Sequence, residues 1–286
     1  TQLDKNCQNC KDEQKELNNK TTQNEKSSSL INKKTIDSIY DSCKSICKIS
    51  VSNLIGTGFL IVFQKGNKLI NCLMTCEHVI NEDIVKSKEK INISYDNEKT
   101  NINIKLDDKE RFIRNYLYMN IDAIIIEIKK EEISEDFFLH PQTNYENKEL
   151  INKSVYILQY PEGKELQYSK GNIKAINEYS NEITHSVSTS HGSSGSPIIL
   201  SNTTEVIGIH KQGKIDKKEN YGNFIYPIIK SLKNDSIFGK EKYEGEFKNG
   251  LREGYGKYIY EDGSFYIGEW KNGLKNGKGI IYYKNY

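Results

Sequence analysis

The sequence predicts an all-β protein, and three observations carry that reading. Short runs rich in β-branched and aromatic residues follow one another from Val51 to Lys233, separated by turn residues. Helical periodicity is scarce between them. From Tyr243 the texture becomes a repeat, with Tyr243-Glu-Gly-Glu-Phe-Lys-Asn-Gly-Leu251 echoed at Tyr266-Ile-Gly-Glu-Trp-Lys-Asn-Gly-Leu274, a period of 23 residues. Many short strands with few helical patterns point to a sandwich or barrels, and a fixed period of this size points to stacked units.

Residues 1–34 are Asn, Lys, Gln, Glu and Ser with scarcely an apolar residue. Such a segment cannot bury enough surface to offset its ordering entropy, so a disordered tail is expected there. A short amphipathic helix follows, with Ile36, Ile39, Tyr40 and Cys43 on one face. The strand runs include Gly58–Phe63, Ile91–Tyr95, Asn101–Leu106, Ala123–Ile128, Val155–Leu158, Pro197–Leu200 and Val206–Ile209. Several alternate polar and apolar residues, as half-buried strands do. Each repeat unit reads as a β-hairpin turning at Asn249-Gly250 or Asn272-Gly273. The expected organisation is a tail over 1–34, a globular domain over 35–236 and two repeat units over 240–286.

Composition narrows the function. There are 41 basic and 39 acidic residues in 286, a net charge of +2, without the basic stripe that nucleic-acid binding requires. The mean hydropathy of −0.70 fits a core accompanied by polar tails or repeats. No stretch approaches the ~18 consecutive apolar residues of a membrane span. Cys7-x-x-Cys10 and Cys43-x-x-x-Cys47 offer four thiolates to one zinc, but a polar tail and a helix spaced i, i+4 explain them as well. Neither a metal nor a cofactor is expected.

The chemistry concentrates in His191-Gly-Ser-Ser-Gly-Ser-Pro197. A serine between Gly192 and Gly195 suits a nucleophile turn, in which the N–H groups of Gly192 and Ser194 point at one oxyanion. Leu73-Met-Thr-Cys-Glu-His78 puts a histidine at the end of an apolar strand, and Asn120-Ile-Asp122 puts an aspartate at the head of another. Alone, each reads as an ordinary structural residue. Their order is what changes the reading: His, Asp and Ser lie 44 and then 72 residues apart, enough to sit on different strands and converge.

Gly56-Thr-Gly-Phe-Leu-Ile, Thr75-Cys-Glu-His78, Ile121-Asp122-Ala-Ile-Ile and Gly192-Ser-Ser194-Gly-Ser-Pro197 resemble the successive signatures of chymotrypsin-like serine proteases. Tyr160-Pro-Glu-Gly163, Tyr168–Ile173, Val187–Ser190 and Glu205–His210 are similar to the bacterial glutamyl endopeptidases. The resemblance spans about residues 50 to 232 and implies a chymotrypsin-like double β-barrel of six strands each, with the site in the cleft. It implies Ser194 as nucleophile, His78 as base, Asp122 as its orienting carboxylate, and the Gly192 and Ser194 amides as oxyanion hole. Ser193 stands where trypsin-like zymogens carry an aspartate, so no ion-pair activation switch is expected. Glu77 is expected to face solvent.

The same resemblance places Thr189 and His210 in the pocket for the residue before the scissile bond. A hydroxyl and an imidazole there imply cleavage after Glu, with Gln and Asp as alternatives, and a protonated His210 would add charge. Lys211, Gln212 and Gly213 form the edge on which a polypeptide substrate pairs. His185 and His191 receive no role. The residues from Tyr243 to the end resemble the MORN repeat, which implies a protein or anionic-lipid partner. The polar tail and the repeats lead to an expected cytoplasmic location with membrane association, while the first residue, Thr1, leaves a removed leader and secretion open. The rival reading is a catalytically silent, protease-like binding module displayed by the repeats.

Overall fold

The computed structural model describes residues 33–52, 54–143, 147–178, 180–213, 219–233, 242–260 and 264–283. The tail expected over 1–34, with Cys7 and Cys10, lies outside the described residues apart from Lys33 and Lys34. The chain divides into two compact units, Thr1–Ser38 and Ile39–Tyr286. The described part of the first is the opening of helix α1 (Lys33–Cys43), where Ser38 Oγ donates to the Lys34 carbonyl. All that follows concerns the second. No helix among the described residues is long and apolar enough to cross a membrane.

The first half is a seven-stranded antiparallel sheet. Its strands are β1 (Ile46–Val51), β2 (Leu54–Lys65), β3 (Lys68–Thr75), β4 (Lys90–Tyr95), β5 (Thr100–Lys105), β6 (Ile113–Asn115) and β7 (Ile124–Glu127), in the order β5-β4-β1-β2-β3-β7-β6. The expected two-barrel plan holds, with this first half a half-barrel of seven strands where six were expected. The second half is a closed six-stranded barrel of β8 (Ser154–Gln159), β9 (Gln167–Asn177), β10 (Glu182–His185), β11 (Pro197–Leu200), β12 (Val206–Gly213) and β13 (Asn220–Phe224).

Two cores follow from strand periodicity. Val155 and Ile157 of β8 join Ile173, Ile183, Ile198 and Phe224 inside the barrel. Tyr156 and Leu158, one residue out of step, join the core of the open sheet with Ile199 and Ile209. A strand buried on both faces reads as a continuous apolar run, which is why Val155–Leu158 and Pro197–Leu200 show no alternation. Arg111, almost fully buried, chelates Glu132 through two hydrogen bonds of 2.7 and 3.0 Å and donates to the Glu127 carbonyl at 2.7 Å. That fork fixes the loop before β6 against β7.

The C-terminal residues form a four-stranded meander of β14 (Lys242–Lys248), β15 (Leu251–Ile259), β16 (Phe265–Lys271) and β17 (Leu274–Tyr282). Asn249-Gly250 and Asn272-Gly273 all take positive φ, the two-residue turn that such dipeptides favour. The recurring glycines have a packing cause. Gly245 faces Gly256, and a Cβ on either would meet the Tyr243 ring; Gly268 and Gly279 stand likewise to the Tyr266 ring.

Candidate active site

His78 sits in the turn that leaves β3. The Cys76 carbonyl accepts from the Val79 and Ile80 amides, and the buried Val79 and Ile80 side chains anchor the turn, which leaves the His78 ring half-exposed. Glu77 does not face open water as expected. It is half-buried and accepts the Glu82 N–H at 3.3 Å, because the turn runs directly into helix α2 (Glu82–Lys86).

Asp122 follows Asn120, whose left-handed φ of 57° bends the chain ahead of β7. Both carboxylate oxygens hold the same residue: Oδ2 lies 2.6 Å from His78 Nδ1, and Oδ1 accepts the His78 N–H at 3.2 Å. Burial pushes the Asp122 carboxyl upward. The hydrogen bond from the His78 ring, the positive fields of His78 and Lys211 and the His78 N–H outweigh it, holding the group below the ordinary carboxylate range. An ionised carboxylate only accepts, so the His78 Nδ1–H is the donor of that bond. Asn223, missed by sequence reasoning, holds Asp122 from behind by accepting its N–H at 2.9 Å. Its amide nitrogen in turn donates to the Asn120 and Asn181 carbonyls.

The nucleophile loop is built around Thr57 of β2, which the sequence showed only as part of Gly56-Thr57-Gly58. The Thr57 N–H donates to the Ser194 carbonyl (3.1 Å) and its Oγ1 donates to the Gly192 carbonyl (2.8 Å). That Oγ1 accepts the Tyr160 N–H (3.0 Å), and the Thr57 carbonyl accepts Thr75 Oγ1 (2.7 Å). Gly192 and Gly195 take φ of 86° and 91°. A Cβ at 192 would strike the Tyr160 carbonyl, and one at 195 would strike the Thr57 carbonyl and the Thr75 hydroxyl. Only glycine fits either place.

The loop's peptides are oriented. The His191 carbonyl accepts the Glu162 N–H, so across that planar peptide the Gly192 N–H points the other way. The Ser193 carbonyl accepts the Ser196 N–H, which turns the Ser194 N–H in the same manner. Neither amide has a partner among the described residues. Ser193 is fully buried, and its Oγ accepts the Ser190 N–H at 3.1 Å.

The loop and the histidine turn share an acceptor. The His210 carbonyl receives the Gly195 N–H (2.9 Å) and the Cys76 thiol (3.2 Å), which ties the residue after Ser194 to a residue two before His78. No hydrogen bond joins Ser194 to His78. Ser194 Oγ instead donates to the Lys211 carbonyl at 3.0 Å. A bulge in the β12–β13 ladder leaves Lys211 without a ladder partner, and this is the carbonyl it frees. Ligating atoms of Cys76, His78 and Asp122 lie within 4.8 Å of one another. In this arrangement each is already committed, the thiol to His210 and the other two to each other.

The expected specificity residues fare differently. Gln212 and Gly213 are exposed at the end of β12, and Thr189 Oγ1 lies beside Gly213. His210 is buried at 2% exposure and faces His185, itself fully buried, with Nδ1 3.3 Å from His185 Nε2. No hydrogen bond joins His210 to Thr189. Burial pushes His185 down to about 4; burial, with repulsion from His185 and His78, pushes His210 down to about 3 against a Tyr221 backbone hydrogen bond. The expected protonated His210 is therefore corrected: at neutral pH the pair is uncharged. His185 Nδ1 is buried without a partner, so the assignment that avoids an orphan N–H has His185 Nε2 donating to His210 Nδ1. His185, given no role from the sequence, stands behind the candidate pocket.

This pair carries a pH signature. Unfolded histidines titrate near ~6.5, so between about pH 6.5 and pH 4 the unfolded chain takes up protons that the folded pair refuses. Stability from this source is complete well above pH 6.5 and declines on acidification below it. Thermal melts should show Tm falling steeply from pH 6.5 to 4 in the wild type, and less steeply after His185→Gln plus His210→Gln. Equal slopes in the two proteins would contradict the assignment.

Comparison with known proteins adds the family. The model of the trypsin-like peptidase domain matches residues 56–209, and the MORN repeat model matches 243–265 and 266–286. No curated protein sequence matches the chain. Among solved structures, the serine endoprotease of Yersinia pestis is similar at a TM-score of 0.51 and 16% identity, over 72% of this chain and 69% of that one. The Rv3671c protease of M. tuberculosis, in its inactive form, has a TM-score of 0.49 and 17% identity over 69% of this chain and 91% of that one. The first of these likenesses speaks for the fold. The family model covers more than half of the residues, and the chain belongs to the trypsin-like peptidase family.

Proposed function

We propose that the chain is a serine endopeptidase, with Ser194 as nucleophile, His78 as base and Asp122 as the carboxylate that orients it. The observation that carries the reading is the double clamp of Asp122 on His78, which fixes the ring with its Nδ1–H as donor. Rotation of the Ser194 hydroxyl from the Lys211 carbonyl to another staggered position frees it for Nε2. Oγ then bonds to the scissile carbonyl carbon while its proton passes to Nε2. The oxyanion forms against the Gly192 and Ser194 amides. Collapse breaks the C–N bond as Nε2 returns the proton to the leaving amine. A water, deprotonated by the same nitrogen, then releases the acyl group from Ser194.

The rival is the silent binding module, and the bond from Ser194 Oγ to Lys211 is compatible with it. A fluorophosphonate probe separates the two. Wild type should label at Ser194, Ser194→Ala should not, and Asp122→Asn should lower peptide turnover by about 10⁴-fold. Folded wild-type protein that stays unlabelled would favour the module.

Thr57 is proposed as the residue that positions the oxyanion donors. Thr57→Val keeps the volume but removes the Oγ1 bonds to Gly192 and Tyr160. Turnover should fall on the order of 10²-fold with KM nearly unchanged, and Thr57→Ser should restore most of it. A KM effect alone would reject that role.

The proposed preference is for Glu before the scissile bond. Thr189 beside Gly213 and the paired, neutral His210 and His185 support it, through hydrogen bonding rather than charge. In a peptide library Glu should exceed Ala and Lys at that position by at least ~10-fold in kcat/KM, the discrimination of one good polar contact. A hydrophobic or basic optimum would remove the preference and leave the peptidase.

A further inference from the structure

The repeat meander holds a groove of about 550 Å³, lined by Arg252, Tyr258, Tyr260, Trp270, Leu274 and Lys275 among others. Its floor is fixed. Trp270 is buried, its indole N–H donates to the Gly256 carbonyl at 3.1 Å, and the rings of Tyr243, Tyr258 and Tyr266 pack around it. Two cations lie on this floor. The Arg252 guanidinium stacks 4.5 Å from the Tyr258 ring centre and 4.6 Å from that of Trp270. Lys275 Nζ lies 5.0 and 5.1 Å from the ring centres of Tyr260 and Tyr266.

Neither cation has a hydrogen bond or an ion pair among the described residues. Among the carboxylates of the meander, Glu253 accepts the Asn272 N–H at 2.8 Å, and Glu246 and Glu269 lie against Gly254 and Gly277. A guanidinium stacked on a ring keeps its in-plane N–H fork free, the arrangement that receives a carboxylate by two hydrogen bonds. The aromatic floor holds the cations in place before any ligand arrives, which reduces the ordering cost of binding.

The spacing selects the ligand. Gly254 of β15, Trp270 of β16 and Lys275 of β17 are successive register partners, and Arg252 stands two residues before Gly254 on β15, so the two cations sit on the strands either side of β16. Their backbone positions are therefore at least two strand spacings, ~10 Å, apart, the reach of three or more residues of an extended chain. We infer that this groove is a binding site for an acidic polypeptide segment, held in extended form with carboxylates on Arg252 and Lys275 and an apolar or aromatic residue over Trp270. A bilayer is the poorer fit, because Arg252 is partly buried against the Tyr258 and Trp270 rings, where an extended side chain reaches it more readily than a lipid surface.

Trp270 is the only tryptophan of the chain, so its fluorescence reports on the groove directly. The experiment uses the full chain carrying Ser194→Ala, which cannot cleave the probe, so its outcome does not depend on the proposed peptidase activity. A Glu/Tyr-rich decapeptide should change Trp270 emission saturably, and the matched Gln/Tyr decapeptide should bind at least tenfold more weakly. Lys275→Glu alters an exposed side chain and should weaken the acidic peptide at least tenfold, as should Arg252→Gln, with circular dichroism unchanged. Raising salt from low ionic strength to half-molar should weaken it further. Equal affinity for the two peptides, or unchanged affinity in Lys275→Glu, overturns the inference. So does binding to phosphatidylserine vesicles that depends on Arg252 and Lys275 with no response to the peptide.

Discussion

Everything at the site depends on how closely the nucleophile loop approaches Thr57. The loop lies on β2 with no side chain between them at 192 and 195, and Thr57 answers with every polar atom it has. Four buried hydrogen bonds at roughly 1 kcal/mol each are a modest sum. Their direction matters more. They hold the Gly192 and Ser194 carbonyls and the Tyr160 N–H against β2, so the loop is anchored by its back. The shared His210 carbonyl extends the same logic, because one acceptor sets the distance between the Ser194 and His78 segments. Two β-sheets that meet only through apolar side chains have freedom to slide. Two sheets joined by backbone hydrogen bonds at the point of reaction do not.

What was legible in the sequence follows from what chemistry dictates one residue at a time. The all-β class, the strands and the repeat hairpins were visible in local periodicity and in Asn-Gly turns, whose causes lie within a few residues. His78, Asp122 and Ser194 stood out because nucleophilic catalysis restricts the residue types, and glycines marked the loop. The supports were not legible. Asn223 reaches Asp122 across 101 residues, Cys76 reaches His210 across 134, and His185 meets His210 only because β10 and β12 flank β13 in the closed barrel. A buried polar residue shows no period and no motif. Its partner is set by register, which the sequence does not state.

The Gly56-Thr57-Gly58 stretch shows where the sequence does carry a signal that is easily passed over. A Cβ at Gly56 would meet the Val79 side chain and one at Gly58 would meet Ile49 and the Met74 carbonyl, so both glycines mark close approach around one polar residue.

The site divides into a fixed half and a movable one. Asp122 and His78 are locked by paired hydrogen bonds, and Asn223 holds Asp122 in turn. The Ser194 hydroxyl, in contrast, rests on a single neutral acceptor, the Lys211 carbonyl. In the proposed reaction that carbonyl lies on the β12 edge where the substrate backbone pairs, so a substrate N–H arrives at the same oxygen. A hydroxyl holding one net bond of about 1 kcal/mol is easily displaced by a strand that makes several. In the same proposal the displaced hydroxyl turns to Nε2 of His78, so occupation of the edge and arming of the nucleophile are coupled.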